Sequence, residues 1–408
     1  MLVSSLIKIT LGIKGQRVEK VEIIGNTMVA RIVPRKRSRP RCSRCERKTR
    51  GYDILPERSW THVSLWGIPV VLRYRPRRVQ CKRCGIRVEK IPWSYGKSRL
   101  SLPLILVLST FARLLSWEEV ARLFCVHWNT VRAAVAQAVE YGLAHRDTDS
   151  VLLIGVDEIS RRKGHTYVTN VYDIAKKRLL WTGDGRDRQT LEAFFREYGE
   201  EATKRIKAIC CDMWAPYMDA IKEKAPQAIL VFDKFHIVRH LIEAVDKVRK
   251  QEAREKDSDR NVLLKGSKYI FLKNPWNLTP KQKARLGMLE KLNLKINRAY
   301  LLKESFRQFW DYVYPGNARK FLKKWFWWAT HSRLKPLRDF AWMLRRHEKD
   351  LMNYFKLRIN AGVLEGLNRK AKVVSQRAYG YRTFGTFRLA LYHVLGGLPT
   401  PEFTHKFV

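Results

Sequence analysis

The chain has 408 residues, of which 81 are Lys or Arg and 38 are Asp or Glu, so its formal net charge is +43. Hydrophobic residues make up 45% and aromatic residues 11%, which suits packed cores and excludes a disordered basic tail. The length allows two or three domains. So large a positive excess predicts a polyanionic partner, most simply nucleic acid. Because no run of 18 or more apolar residues occurs, we expect no transmembrane helix.

The positive charge is concentrated towards the two ends of the sequence. Residues 1–100 hold 25 basic and 6 acidic residues, and residues 251–408 hold 33 and 12. Residues 151–250, by contrast, hold 19 basic and 15 acidic residues. A protein that only coated DNA would have no reason to gather acidic residues in its middle. The centre of the chain is therefore where we expect chemistry.

The first hundred residues predict a small β-rich domain. Apolar residues alternate with others over residues 17–33, around Gly25-Asn26, which predicts a β-hairpin. Residues 69–80 predict another strand, and the polar, basic residues 92–99 predict a linker.

Two Cys-x-x-Cys pairs, separated by 35 residues, predict a metal site formed by Cys42, Cys45, Cys81 and Cys84. Each pair presents two thiolates from one turn, and two pairs complete a tetrahedral, structural Zn²⁺ site with no open position. In a reducing cytosol such pairs favour metal over a disulfide. The alternatives are four unrelated cysteines, or a site in which His62 is a ligand. Basic residues within both pairs predict additional contact with DNA phosphates.

Residues 103–115 and 117–146 predict helices, with breaks near Ser116 and at residues 125–127. Ser116 precedes Glu119 by three residues, which is the spacing of a capping box. In a DNA-binding helix-turn-helix the second helix enters the major groove with its first residues at the base edges. His127 or Asn129 would open that helix, which would place four residues near DNA: Trp128, Asn129, Thr130 and Arg132. A plain helical hairpin in a core is the alternative, and the near-neutral local charge favours it slightly.

Residues 151–250 alternate strand-like and helical segments in the order β-β-β-α-β-α-β-α, which predicts an α/β sheet domain. Asp157 is predicted to end the first strand and Asp212 the fourth. Carboxylates at neighbouring strand ends converge, and two hard cations bridged by them activate an attacking oxygen in phosphoryl transfer. Glu365, on a helix predicted over residues 363–374, is the candidate third carboxylate. Taken singly, each Asp could equally be a loop cap.

In this order, the motifs resemble those of DDE transposases of the ISL3 insertion-sequence family, over nearly the whole chain. Beside the cysteine pairs and the helix-turn-helix pattern, six segments carry the resemblance: GVDE at 155–158, GRDRQTLEAFF at 185–195, CCDMW at 210–214, FDKFH at 232–236, NAGVLEGLNRKAK at 360–372 and AYGYRTF at 378–384.

The resemblance implies a multi-domain α/β protein with a ribonuclease H-like catalytic domain. It implies Asp157, Asp212 and Glu365 as the ligands of two Mg²⁺ ions, with Mn²⁺ as a substitute. The implied domains are a zinc-binding domain (1–98), a helix-turn-helix domain (99–148), the catalytic domain in two parts (149–250 and 358–408) and an α-helical insertion between those parts (251–357).

The implied function is that of a transposase that binds the terminal inverted repeats of an insertion sequence. It would hydrolyse a phosphodiester and join the freed 3′-hydroxyl to target DNA. Its partners would be double-stranded DNA and further copies of itself, as a homodimer or larger oligomer, in the prokaryotic cytoplasm at the nucleoid. Two alternatives stay open: an inactive DNA-binding repressor descended from a transposase, and a ribonuclease H-like nuclease without strand transfer.

Several further residues have two interpretations. Asp233 and His236 match an Asp-x-x-His pattern of the family, and they either orient metal ligands or the scissile phosphate, or only cap a helix. Lys372 lies about two turns beyond Glu365, where it would hold the DNA backbone or face solvent. Glu158 is set aside, because strand alternation points it away from Asp157. The tryptophan-rich segment 324–328, together with Trp310 and Trp342, predicts core packing, leaving open one aromatic near the DNA end.

Overall fold

A computed structural model describes residues 2–94, 96–162, 164, 166–255, 262–358 and 362–400. The described chain forms two compact units. The first comprises residues 2–147 and 371–400, and the second comprises residues 148–370. Each unit is built around buried apolar residues of its own.

The N-terminal part of the first unit contains two small sheets. One has the strand order β1-β2-β5-β4, in which β2 and β5 run parallel, and the other has the order β3-β6-β7 and is antiparallel. The strands are β1 (Gln16–Ile24), β2 (Thr27–Pro34), β3 (Arg50–Ile54), β4 (Arg58–Leu65), β5 (Ile68–Tyr74), β6 (Arg77–Cys81) and β7 (Gly85–Val88), and a helix, α1 (Val3–Thr10), precedes them.

The hairpin predicted over residues 17–33 is confirmed as β1 and β2. The single strand predicted over residues 69–80 is wrong, because it is two strands that belong to different sheets. They separate at Pro76, which has no backbone N–H to contribute to a ladder.

The predicted linker over residues 92–99 is also wrong in part. Trp93 is fully buried and packs edge-on against Trp60 at 6.0 Å and against Tyr74 at 5.4 Å between ring centroids. Burying a ring of this size favours folding by several kcal/mol at about 25 cal/mol per Å². The segment is therefore part of the N-terminal core.

Three helices follow, at the positions that the sequence predicts: α2 (Leu102–Leu114), α3 (Trp117–Leu123) and α4 (Trp128–His145). The capping box at the start of α3 is confirmed, because the Glu119 N–H donates to Ser116 Oγ at 3.2 Å and the Ser116 N–H donates to Glu119 Oε2 at 2.8 Å. His127 caps α4 by accepting from the Asn129 N–H at 3.2 Å. Val131 is fully buried on the inner face of α4.

The second unit is centred on a five-stranded sheet of order β10-β9-β8-β11-β12. β8, β9 and β10 are antiparallel, whereas β11 and β12 run parallel to β8. The strands are β8 (Leu153–Arg162), β9 (Thr166–Asp173), β10 (Arg178–Asp184), β11 (Ala208–Cys211) and β12 (Ile229–Phe232). The helices among them are α5 (Arg188–Tyr198), α6 (Glu200–Lys204), α7 (Ala215–Lys224) and α8 (Lys234–Glu252).

The predicted element order is confirmed, with α6 as a short addition. The prediction that Asp157 ends the first strand is wrong. β8 continues to Arg162, because residues 158–162 pair with β9 as the arm of a hairpin. The last residue of β8 that pairs with β11 is Gly155, opposite Cys210. Asp157 lies two residues further on, where β8 extends beyond the end of β11.

Residues 262–358 are helical and share one continuous core with the sheet. The helices here are Lys268–Leu272, Pro280–Glu290, Lys295–Arg307, Pro315–His331, Lys335–Arg346, Glu348–Met352 and Tyr354–Leu357, with 3₁₀ turns at Pro275–Asn277 and Gln308–Asp311. Trp310 and Trp325 are core residues, as predicted, but Trp327, Trp328 and Trp342 are exposed. The sequence also indicates a charged, polar break at residues 252–261, of which residues 256–261 lie outside the described part.

Two helices complete the part of the chain that the structure describes. Gly362–Arg377, here called the Glu365 helix, belongs to both units, and Phe384–Leu395 belongs to the first. No helix in the described ranges has the length and apolar character needed to cross a bilayer.

Candidate active site

Three aspartates lie on neighbouring elements of the second unit. Asp157 is on β8, Asp212 directly follows β11, and Asp233 directly follows β12. Because β8, β11 and β12 are parallel and adjacent, these positions fall at one edge of the sheet, where ligands of open α/β sheets commonly bind. Each carboxylate is held by a backbone N–H: Glu158 donates to Asp157 at 2.7 Å, Met213 to Asp212 at 2.6 Å and Phe235 to Asp233 at 2.8 Å.

The imidazole of His236 lies between the three carboxylates. Its Nε2 is 3.9 Å from Asp157 Oδ1, and its Nδ1 is 3.7 Å from Asp212 Oδ1 and 3.9 Å from Asp233 Oδ2. Nδ1 is buried without a hydrogen-bond partner among the described atoms. Asp157, Asp233 and His236 offer ligand atoms that all lie within 4.8 Å of one another. Carboxylate oxygens suit hard divalent cations, and imidazole is a common ligand of transition metals, so this group could hold a divalent cation.

Asp233 caps a helix and also faces His236, so the cap does not use the whole carboxylate. Its side chain caps the N-terminus of α8, and its second oxygen faces His236 in the first turn of the same helix. The cap fixes where α8 begins, and the helix in turn fixes His236 beside the strands.

The Glu365 helix approaches β8 through residues on either side of the glutamate. Asn368 Nδ2 donates a hydrogen bond to Asp157 Oδ2, and Asn368 Oδ1 accepts from the buried Tyr172 hydroxyl at 2.7 Å. Leu364 packs onto Gly155 so closely that a Cβ added to the glycine would lie only 2.2 Å from Leu364 Cδ2. Glu365 itself is exposed and lines a cavity beside the aspartates. Burial raises the pKa of Asp233, and the charge of Glu365 adds to that effect.

Burial sets the electrostatics of this site. Burial raises the pKa of Asp157 to about 6, against the opposing effect of His236. Burial likewise raises the pKa of Asp233. Carboxylates crowded together in a dry site resist ionising together, so a divalent cation would relieve the repulsion among them.

Sequence reasoning missed four residues of this site. Asn368 lies three residues after Glu365, a spacing that puts both near one face of a helix and could have drawn attention to it. Tyr172 carries no such signal. Arg239 lies 3.7 Å from Asp212 Oδ2 through its Nη2. Glu158 was excluded by strand alternation, yet burial and the neighbouring Asp212 raise its pKa.

The four cysteines of the first unit come together. Cys42, Cys45, Cys81 and Cys84 form a group whose sulfur atoms all lie within 4.8 Å of one another, and Cys45 Sγ is 3.5 Å from Cys81 Sγ. Backbone N–H groups of residues 83 and 84 lower the pKa of Cys81 to about 7, whereas desolvation and the neighbouring thiols raise that of Cys84 to about 12. A bound metal ion would relieve such competition between thiolates.

His62 lies apart from this cluster. It is buried and contacts Ser101 Oγ through Nδ1 at 2.8 Å and Thr10 Oγ1 through Nε2 at 3.3 Å. Burial lowers its pKa to about 4, so it packs as a neutral ring in the N-terminal core.

The residues predicted to contact DNA lie at the start of α4. Trp128, Asn129 and Arg132 are exposed, and Thr130 is half-buried. Lys372 is exposed in the C-terminal half of the Glu365 helix.

Comparison with known proteins gives the family. The model of a transposase family, the DDE transposases of ISL3 type, matches residues 154–391. The chain is 30% identical to the transposase for insertion sequence element IS1001 of Bordetella parapertussis, over 90% of this chain and 91% of that protein. It is also 30% identical to the transposase for insertion sequence element IS1557 of Mycobacterium tuberculosis, over 94% of this chain and 92% of that protein. The chain thus belongs to the ISL3 family of insertion-sequence transposases.

Proposed function

We propose that this protein binds the terminal inverted repeats of its insertion sequence, cleaves a phosphodiester there and transfers the freed 3′-hydroxyl to target DNA. Asp157, Asp212 and Glu365 would be the catalytic carboxylates, in a ribonuclease H-like domain, acting in the cytoplasm on nucleoid DNA. The observation that supports this most is the convergence of three aspartates on His236, beside the helix that carries Glu365.

The donor set fits divalent cations, because it is rich in carboxylate oxygens and Nδ1 of His236 lacks a partner among the described atoms. Asp157, Asp212, Asp233 and His236 would hold one ion, and Glu365 would help to hold a second. Bound Mg²⁺ or Mn²⁺ would supply the positive charge that activates the attacking oxygen and stabilises the leaving one.

The chain's own residues would orient that chemistry. Asn368 fixes the Asp157 carboxylate and ties it to the Glu365 helix, so two ligands from distant parts of the sequence keep one geometry. Arg239 sits beside Asp212, where its guanidinium would contact a phosphate oxygen of the bound strand.

DNA binding would use the first unit. The four cysteines would hold one structural Zn²⁺, and α3 with α4 would form a helix-turn-helix that presents Trp128, Asn129, Thr130 and Arg132 to the major groove. Two transposon ends must be processed together, so we propose a homodimer or larger assembly on DNA.

Cleavage assays with near-isosteric variants test the catalytic assignment. Asp157→Asn, Asp212→Asn and Glu365→Gln should each lower Mg²⁺-dependent cleavage of end DNA by roughly 10³-fold or more, as removal of one essential charge-stabilising group does, while the protein still binds that DNA. The control is Asp219→Ala, because Asp219 is an exposed carboxylate on α7 and should keep full cleavage. Wild-type cleavage by all three variants would refute the assignment.

The same experiment separates the alternatives. A wild-type protein that binds end DNA but never cuts it, with Mg²⁺ or Mn²⁺, would be the repressor. A protein that cuts but does not join a pre-cleaved 3′-hydroxyl end to a target plasmid would be a nuclease without strand transfer.

A further inference from the structure

A cavity of about 630 Å³ opens beside the candidate active site, within the second unit. Its wall is built from the start of α8, from the helical region after residue 262 and from the Glu365 helix. The lining residues that matter here are Lys234, Phe235, Arg307, Trp310, Tyr354 and Glu365. The volume is within the range of pockets that take a ligand of nucleotide size.

Aromatic side chains form part of this wall. Phe235 is 51% exposed, although its neighbour on α8 is the buried His236 at 6.1 Å between ring centroids. Tyr354 packs edge-on against Trp310 at 4.8 Å. Exposing the apolar Phe235 ring to water is unfavourable. A nucleobase is flat and would cover the ring by stacking on it.

The wall also carries unsatisfied polar groups. Trp310 is 5% exposed, and its Nε1 is buried without a hydrogen-bond partner among the described atoms. Lys234 Nζ lies 5.4 Å from the Trp310 ring centroid and interacts electrostatically with Asp311, but the described residues form no hydrogen bond with it. A ligand that brings both an acceptor and an anionic group would satisfy both residues.

We propose that this cavity receives one unpaired nucleotide of the DNA strand held at the carboxylates. The base lies against Phe235 and Tyr354, and its phosphate neutralises Lys234. The inference rests on the proposed function, because Glu365 lies in the same wall and the strand must pass it to be cut. A free anion fits less well, since Glu365 and Asp311 also line the cavity.

The test measures binding without catalysis. Full-length protein is titrated, in buffer with EDTA, with a labelled terminal-repeat duplex that is either blunt or ends in a few unpaired nucleotides of the same sequence. Wild type should bind the unpaired end about tenfold more tightly, as expected from stacking of one base. Phe235→Ala and Lys234→Gln should each reduce that preference to within about twofold and leave affinity for the blunt duplex unchanged.

The matched control is Tyr269→Ala, because Tyr269 is similarly exposed at 58% but does not line the cavity. It should keep the full preference of the wild type. A second readout is 2-aminopurine at the unpaired position, whose fluorescence should be quenched by wild type and recover in Phe235→Ala.

Equal affinity of wild type for both ends overturns the proposal. So does a preference that survives in both cavity variants, or one that is lost equally in Tyr269→Ala. The proposed function would fail differently, through Mg²⁺-dependent cleavage retained by Asp157→Asn, so the two failures are distinguishable.

Discussion

Gly155→Ala should damage the active site without touching a candidate ligand. Gly155 lies two residues before Asp157, within β8, and pairs with Tyr172 on β9. A Cβ at this position would lie 2.2 Å from Leu364 Cδ2 and 2.9 Å from its Cδ1. Ordinary carbon contacts begin near ~3.5 Å, so strand and helix must separate by roughly 1 Å. Leu364 is fully buried and has little room to rotate away.

Two magnitudes follow from that displacement. Overpacking of this kind costs about 1–3 kcal/mol of folding free energy. The helix that moves carries Glu365 and Asn368, and a misplacement of about 1 Å in a catalytic group costs on the order of 10²-fold in rate. We therefore expect Gly155→Ala to keep DNA binding, to lose about 10²-fold in the single-turnover rate of end cleavage and to unfold at lower urea.

A compensating substitution sharpens the test. Leu364→Ala alone should cost about 2–5 kcal/mol through the cavity it leaves. Combined with Gly155→Ala it removes the clashing methyl groups, so the double variant should be more stable than the sum of the two single effects by at least about 1 kcal/mol. The control is Gly287→Ala, where the added Cβ meets nothing within 4 Å. Wild-type cleavage by Gly155→Ala, or strict additivity with Leu364→Ala, would show that this contact does not set the position of the Glu365 helix.

Further predictions concern the same site and the first unit. Asn368→Ala leaves the buried Tyr172 hydroxyl without its acceptor, which should lower the free energy of unfolding in urea by about 1–3 kcal/mol. If Tyr172→Phe on that background lowers it no further, the lost hydrogen bond accounts for the effect. A full additional loss in the double variant would contradict that explanation. Because the folded pKa of Asp157 is about 6 and its ordinary value is 3.8, the folded state holds a proton between those pH values that the unfolded chain has released. The free energy of unfolding of the metal-free protein should therefore fall, by on the order of 3 kcal/mol, as pH rises from about 4 to about 6. Asp157→Asn should remove this dependence, so that the urea midpoint changes less with pH. Cys42→Ser should release the single Zn²⁺ expected per chain, measured by elemental analysis, and zinc retained at full stoichiometry would rule out this ligand. Arg132→Ala should weaken binding to end DNA by about tenfold or more and leave the weaker binding to unrelated DNA nearly unchanged; equal losses on both would indicate a phosphate contact instead.

The sequence predicts the strands and helices of this protein better than it predicts where they end and how they are connected. Strand and helix periodicity locates the sheet of the second unit and the helices α2 to α4, and Asp212 lies directly after its strand as expected. The end of β8 was missed, because the pairing of residues 158–162 with β9 is tertiary and leaves no periodicity of its own. Trp93 was assigned to a linker, because local polarity conceals a ring that Trp60 and Tyr74 bury.

The candidate site shows the same division. Carboxylates stand out in a basic chain, so Asp157, Asp212 and Glu365 are visible in the sequence. Asn368 is not, because an amide on a helix has many ordinary uses and only the contact with Asp157 distinguishes it. The exposure of Phe235 is likewise a property of the cavity and not of the motif that contains it.

α8 has a consequence beyond the residues at its start. Its first turn carries His236, and its last residue, the fully buried Glu252, accepts hydrogen bonds from the backbone N–H groups of Lys295 and Ile296 at 2.7 and 2.8 Å. A helix of 19 residues is about 28 Å long at about 1.5 Å per residue. The two anchored ends make α8 a stiff rod, with the carboxylate cluster at one end and the start of the helix Lys295–Arg307 at the other. A tilt of that helix would therefore be transmitted along α8 to the imidazole among the aspartates, roughly 30 Å away.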